Sequence, residues 1–434
     1  MISSATTTAV LLADIDTGAT AWVLVSSALV LFMTPGLAFF YGGMVRAKHV
    51  LGMLMQNFFA IGVISVLWAL VGFSLAFGGK NGFIGNFDFV GLKGLSGAAA
   101  QIPGYVKVDD VVDLTLVIPP IAFVSYQMMF AVITPALITG ATADRLKFSA
   151  YAVFISAWLL LVYAPIAHWI FSPNGWLFKM GALDFAGGAV VHINAGIAAL
   201  AVVKVIGNRK GWRKEPMPPH SLPLTLLGTG ILWFGWFGFN AGSALGANGL
   251  AAQAFINTHL AAAAAMCTWL IAEKVKGGHA TTLGAASGAV AGLVAITPCA
   301  GFVGGLSPLA IGGAAGVVCY LALGLKNRFG FDDSLDVIGV HLVGGILGSL
   351  LLGVFADTAI NPGGFDGLLQ GNGELLKDQL VATLVTLCYS GIVSFAIAKV
   401  IDMTMGMRVT SEDEDTGLDL SQHAETAYSM GGRL

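Results

Sequence analysis

Segments of roughly twenty apolar residues, the length a helix needs to cross the hydrocarbon core of a bilayer, recur from one end of this chain to the other. Within a bilayer the backbone must satisfy its hydrogen bonds inside a helix or a closed barrel. Barrel strands are about half this length. The chain is therefore expected to be an all-α polytopic membrane protein. Eleven segments can be counted: Trp22–Gly43, Leu51–Phe77, Leu116–Gly140, Ser149–Phe171, Phe185–Ile206, Leu222–Phe239, Leu250–Ala272, Thr281–Thr297, Ser307–Leu325, Val337–Ala356 and Leu380–Ile401. From Gly277 to Leu325 there is no Lys, Arg, Asp or Glu, so the division of that run rests on Pro298, Gly301, Gly304–Gly305 and Pro308. Charged residues are only 10% of the chain, against about 25% in a soluble domain. A net charge of −3 gives no sign of a nucleic-acid partner.

Basic residues set the expected orientation, because cytosolic loops are enriched in Lys and Arg. Arg46, Lys48, Arg145, Lys147, Lys204, Arg209, Lys210, Arg213, Lys214, Lys274, Lys276, Lys326, Arg328, Lys399, Arg408 and Arg433 fall on one side. They are 16 of the 21 Lys and Arg. Lys80, Lys93, Lys107, Lys179 and Lys377 fall on the other. The expectation is an inner-membrane protein with its N-terminus outside and its C-terminus in the cytosol. The first basic residue is Arg46, preceded by Asp14 and Asp16. The first apolar segment is thus expected to be a span, not a cleaved signal. A transmembrane domain over residues 1–403 and a cytoplasmic tail over 404–434 are expected. The tail centres on Glu412-Asp413-Glu414-Asp415, which reads as a solvated charge run or as a docking segment for a cytosolic partner. Cys267, Cys299, Cys319 and Cys388 lack metal-ligand spacing and read as buried thiols.

Segments five and ten share a pattern. Val-His-x-x-x-Gly-Ile occurs at Val191–Ile197 and at Val340–Ile346. Each histidine, His192 and His341, has an aspartate eight residues before it, Asp184 and Asp333. The two segments enter from opposite sides, so the expected plan is two inverted five-helix repeats plus a final helix, with a site at their interface. An ionisable residue inside a membrane is a functional candidate by default. At 1.5 Å per residue, each histidine lies roughly 12 Å in from its own side, near the midplane of a ~30 Å core. Asp184 reads as a helix cap that also orders the mouth of a pore. His259 reads as structural or lipid-facing, and His49, His168 and His220 as loop or helix-end residues. No G-x-x-x-x-G-K-[ST], H-E-x-x-H or G-x-S-x-G motif is present, so no enzyme, metal or cofactor is implied.

At these residues the chain resembles the ammonium transporter (Amt/Mep/Rh) family, in its bacterial Amt branch. Asp184-Phe-Ala-Gly-Gly-Ala-Val-Val-His192-Ile-Asn-Ala-Gly196 is similar to the family signature. Phe40–Arg46, Gly235–Ser243, Asp336–His341 and Gly417–His423 resemble its helices one, six and ten and its cytoplasmic tail. The resemblance implies eleven helices and a homotrimer with one pore per subunit. It implies an outer site that recruits ammonium, or methylammonium as an analogue, between Ser243, Tyr126 and Phe130. Phe130 and Phe239 match the family's gating pair, His192 and His341 its pore histidines, and Asp184 its vestibule-ordering carboxylate. Trp236, in the helix-six motif, is placed with the pore. The family usually has tryptophan at the outer end of helix four. Phe171 takes that place here, unless Trp169 or Trp176 supplies the ring. A PII-type signalling protein is the implied cytosolic partner, and membrane lipid the surroundings. A Rhesus-like pore for neutral ammonia or carbon dioxide, and an ammonium receptor signalling to a PII protein, are the alternatives. The short tail ranks the receptor below transport.

Overall fold

A computed structural model describes residues 15–96, 100–105 and 116–428. Asp14, Lys107 and Arg433, used above, lie outside the described residues. The described chain is helical, with no strand beyond one isolated antiparallel bridge between Leu146 and Arg408. Ten of its helices are long and apolar enough to cross a membrane. They are α1 (Thr17–Met44), α2 (Ala47–Phe77), α3 (Pro120–Thr142), α4 (Phe148–Met180), α5 (Gly188–Ile206), α6 (Leu222–Ala244), α7 (Gly249–Gly277), α9 (Ser307–Phe329), α10 (Ile338–Phe355) and α11 (Glu374–Met405). Between α7 and α9 lies a shorter apolar helix, α8 (Thr282–Ile296), most of whose 15 residues are buried.

Helix ends follow local chemistry. Asp16, Ser221, Asn248 and Thr281 cap α1, α6, α7 and α8, each accepting a backbone N–H from three residues on. Helix α3 starts at Pro120, later than the apolar run at Leu116, because a proline pair fixes the entry and suits a first turn. The continuous part of α4 ends at Phe171, and its final short turn, Trp176–Met180, follows a break. Two of the thiols depart from expectation. Cys299 and Cys319 are buried, but Cys267 and Cys388 are exposed, because α7 and α11 turn those faces away from the bundle.

The acidic run is not a solvated tail. After α11 the chain folds into α12 (Ser411–Thr416) and α13 (Leu418–His423), with α13 against the start of α2 and α12 tied to the loop after α5. Thr410 and Asp413 close α12 with a reciprocal capping box. Glu414 is 2% exposed and accepts from the Arg408 guanidinium and from Lys210 N–H. Asp419 accepts Gly52 N–H at 2.8 Å, and Leu418 N–H donates to His49 Nδ1 at 3.2 Å. Beneath the tail, Asp332 takes a fork of two bonds from Arg209, at 2.8 and 2.9 Å, and faces the buried Arg145 guanidinium at 3.8 Å.

Burial raises the Asp332 carboxyl pKa, but the bonds and charges of the two arginines outweigh it and hold the group below the usual carboxylate range. A depressed carboxylate stabilises the fold above its unfolded pKa of about 4, and that stability is lost as pH falls through the lowered value. Asp332→Asn removes the carboxylate charge that faces two buried guanidiniums, and among the described residues leaves Arg209 only Asp144, at 3.5 Å, as an acidic partner. A loss of about 3–5 kcal/mol is expected. It is read as a large fall in Tm at pH 7 that narrows as the parent is acidified. An unchanged Tm at pH 7 would remove Asp332 from the account.

Candidate functional site

The bundle encloses a cavity of about 370 Å³ that opens on the face opposite the tail. Its floor is aromatic. Phe130 of α3 and Phe239 of α6 meet with ring centroids 4.4 Å apart. Tyr126, one turn before Phe130, sets its ring edge-on to it at 4.9 Å. The Tyr126 hydroxyl lies 2.8 Å from both Gly238 O and Phe239 O, so it pins the end of α6 to α3. Ser243 donates to Phe239 O at 2.9 Å and lies 3.1 Å from the Tyr126 hydroxyl, and a hydroxyl oxygen with two lone pairs can still accept a further bond.

Phe171 lines this cavity, edge-on to Phe130 at 6.4 Å. The two tryptophans are elsewhere. Trp169 is held by Phe83 O and packs on Tyr389, and Trp176 packs on Trp169 and Phe83. Phenylalanine therefore occupies this part of the wall. Other lining residues were not singled out in the sequence: Tyr105, Gln127, Phe178, Phe185, Phe302 and the loop Asn361–Phe365. All but Gln127, which lies within α3, come from connections and helix ends, where no periodicity marks them.

Below the phenylalanines stand the two histidines. Each is 2% exposed, and their Nδ1 atoms are 3.2 Å apart with ring planes 21° from parallel. Trp236 stacks on His192 at 5.5 Å and is itself fixed by a 2.9 Å bond to Thr297 Oγ1. His192 Nε2 is buried without a protein partner. The space beside the pair is about 10 Å³, lined by Met33, Leu37, Ile133, Leu232 and other apolar side chains. That is room for one water-sized molecule and little more.

The same local device builds both histidine positions. Each lies in a wide, π-type turn at the start of its helix, over Gly188–Ile193 and Ile338–Leu342. Five residues before each histidine the backbone has positive φ, at Gly187 (118°) and Asp336 (64°). Eight residues before each, a carboxylate accepts the free N–H groups. Asp184 takes those of Gly187, Gly188, Ala189 and Val190. Asp333 takes those of Val337 and Ile338. Four residues after each histidine is the glycine where the opposite helix crosses. A Cβ on Gly196 would lie 2.6 Å from Leu342 Cβ, and one on Gly345 would lie 3.0 Å from Gly188 O. Those close approaches bring the rings within reach.

His168 stands apart from the pair. Its ring nitrogens face Ala76 O and Asn81 O, holding the α2–α3 connection. His49 and His220 serve the tail, and His259 is exposed beside Trp233 and Phe237.

Comparison with known proteins places this arrangement. Residues 21–428 match the model of the Ammonium Transporter Family. The "Ammonium transporter" of Mycobacterium tuberculosis is 52% identical over 433 residues, covering 96% of this chain and 91% of the relative. The crystal structure of Saccharomyces cerevisiae Mep2 superposes with a TM-score of 0.84 at 35% identity, covering 92% of each chain. A solved structure named Sensor Amt Protein is 27% identical, with a TM-score of 0.82 over 94% of this chain and 98% of its own. The ten apolar helices make it a multi-pass membrane protein. A match across nearly its whole length, to a family of transporters and not of enzymes, shows that the chain belongs to the ammonium transporter family.

Proposed function

We propose that this chain takes ammonium at the aromatic cavity, strips one proton and passes ammonia along the pore, with the proton relayed through His192 and His341. The observation that carries the reading is the buried histidine pair directly beneath the Phe130–Phe239 contact. Aromatic faces attract a cation through their quadrupole. Ser243 Oγ accepts one of its N–H bonds. Moving bare ammonium past Met33, Leu37 and Ile133 would cost several kcal/mol or more. Ammonium's pKa is about two units above neutral, so losing the proton costs only ~3 kcal/mol. Splitting the ion is cheaper than carrying it whole. Potassium has no proton to lose.

The finer architecture belongs to the same reading. Buried α8 is the eighth of eleven spans, α1–α5 and α6–α10 are two inverted repeats, and α11 closes the bundle. Residues 1–403 form the transport domain and 404–434 the tail. The tail face is cytosolic in an inner membrane, and three copies assemble with one pore each. Exposed Arg213 and Lys214, beside the docked tail, offer a landing face for a PII-type protein. Uptake of methylammonium by cells that express this protein as their sole transporter tests the central reading. Absence of uptake from correctly inserted protein would favour the receptor reading, which the likeness to the structure named Sensor Amt Protein also supports.

The wall of the cavity yields a prediction. Tryptophan has the strongest ring face for a cation. Phe171→Trp is expected to lower the half-saturating ammonium concentration about twofold to fivefold, for a gain of ~0.5–1 kcal/mol. The measurement is concentration dependence of ammonium current. An unchanged or raised value would make this wall unimportant to capture.

A further inference from the structure

The cavity is much larger than ammonium requires. Ammonium is similar in size to water, whose share of liquid volume is about 30 Å³, while the cavity holds about 370 Å³. That falls within the range of small-molecule sites, roughly 300–1,000 Å³. Its lining extends beyond Ser243 to Tyr105, Phe178, Phe185, Phe302 and Phe365. Phe185 and Phe302 meet edge-to-face at 5.6 Å, and the Tyr105 hydroxyl is fixed by a 3.2 Å bond to Phe171 O.

Two features restrict what this room accepts. Among the described residues no Lys, Arg or His lines the cavity, and the one charged side chain that does is Asp184. The box is thus aromatic and weakly anionic, a combination that favours an organic cation over an anion or a neutral polar molecule. Gln127 also lines it and is 8% exposed. Its Oε1 has no hydrogen-bond partner. A buried amide oxygen without a donor is costly unless a ligand supplies one. A half-turn of the amide presents that oxygen to the cavity and breaks no bond.

We propose that this outer compartment is a binding site for an organic primary ammonium. Its N–H donates to Gln127 Oε1, and its apolar body packs on Phe302 and Phe185. The Phe130–Phe239 contact and the narrow space below it are too tight for such a body to follow. The ligand is therefore a blocker, not cargo. The proposal rests on the reading of this cavity as the ammonium entrance for its competition with ammonium, but not for binding itself.

Benzylammonium is the probe, with benzyl alcohol as its uncharged counterpart. Calorimetric titration of the full-length protein in detergent is expected to show one saturable benzylammonium site per chain and none for benzyl alcohol. Ammonium should raise the apparent Kd, and external benzylammonium should raise the half-saturating ammonium concentration without changing maximal current. Phe302→Ala and Gln127→Leu should each weaken benzylammonium binding roughly threefold to tenfold. Saturable binding indifferent to ammonium keeps the site and removes the cavity from the ammonium path. No saturable binding by protein that still carries ammonium overturns the site and leaves the transport reading standing. Equal binding of benzyl alcohol, or binding unchanged in both variants, also overturns it.

Discussion

Asp184→Ala is expected to abolish conduction and to lower thermal stability by about 4 kcal/mol or more. Both carboxylate oxygens are fully engaged, with Oδ1 taking Gly187 and Gly188 N–H at 2.8 and 2.7 Å and Oδ2 taking Ala189 and Val190 at 2.8 and 3.2 Å. Each buried N–H left without an acceptor costs about 1–3 kcal/mol. The cavity beside Asp184 lets water answer some of them, which keeps the loss below the full sum. Function suffers more than stability, because the capped turn is the one that carries His192, whose own N–H bonds Gly187 O at 3.1 Å. Asp184→Asn keeps one acceptor but turns an NH2 group toward two N–H donors, so it should lose most of the current as well. Thermal unfolding and ammonium current, measured on the same preparations, check this. Parent-like values for Asp184→Asn would mean that shape, not the carboxylate, orders the turn.

What the sequence reveals here depends on how far the cause of a feature lies from it in the chain. The apolar spans were legible because length and hydrophobicity alone decide them. The paired pattern around His192 and His341 was legible because one local device, an aspartate eight residues ahead and a glycine four behind, is written out twice. The wide turns were not. A π-type turn shifts helix phase without altering an all-apolar pattern, so the start of α5 at Gly188 and the phase of the ring at His192 needed coordinates. Asp336, with φ at 64°, stands where the other half has Gly187, and no propensity argument finds it.

The tail shows the same limit. A run such as Glu412–Asp415 reads alike whether solvated or docked, because the groups that receive it lie elsewhere. Lys48 and Lys210 are more than two hundred residues away, and Arg408 turns back on Glu414 only once the chain has folded. The outer wall is a third case. Tyr105, Phe302 and Phe365 are single aromatics in connections, and only the topology brings them together. Phe171 was expected only through the family resemblance, which left Trp169 and Trp176 open. That Trp169 and Trp176 face elsewhere came from packing against Phe83 and Tyr389.

In the proposed function the histidine pair carries the mechanism. With Nδ1 atoms 3.2 Å apart, one nitrogen must donate and the other accept, so a single proton sits between the rings. When His192 Nδ1 is the donor, its Nε2 is a bare acceptor, and that atom is buried without a protein partner. It can take a proton or an ammonia N–H arriving past Phe239. In the proposed relay, a proton binding there sends the shared Nδ1 proton to His341, which releases its own Nε2 proton. His192→Ala removes the acceptor and the bridge, so charge movement should fall at least tenfold, the equivalent of ~1.4 kcal/mol in the barrier. His192→Asp places a carboxylate in the same space, which can hold a cation directly and admit potassium. The most direct measurement is current through reconstituted protein, with ammonium and then potassium, for both variants beside the parent. The account predicts ammonium current without potassium current in the parent, little of either in His192→Ala, and potassium current in His192→Asp. Parent-like ammonium current and parent-like exclusion of potassium in both variants would contradict it and leave the pair a structural contact.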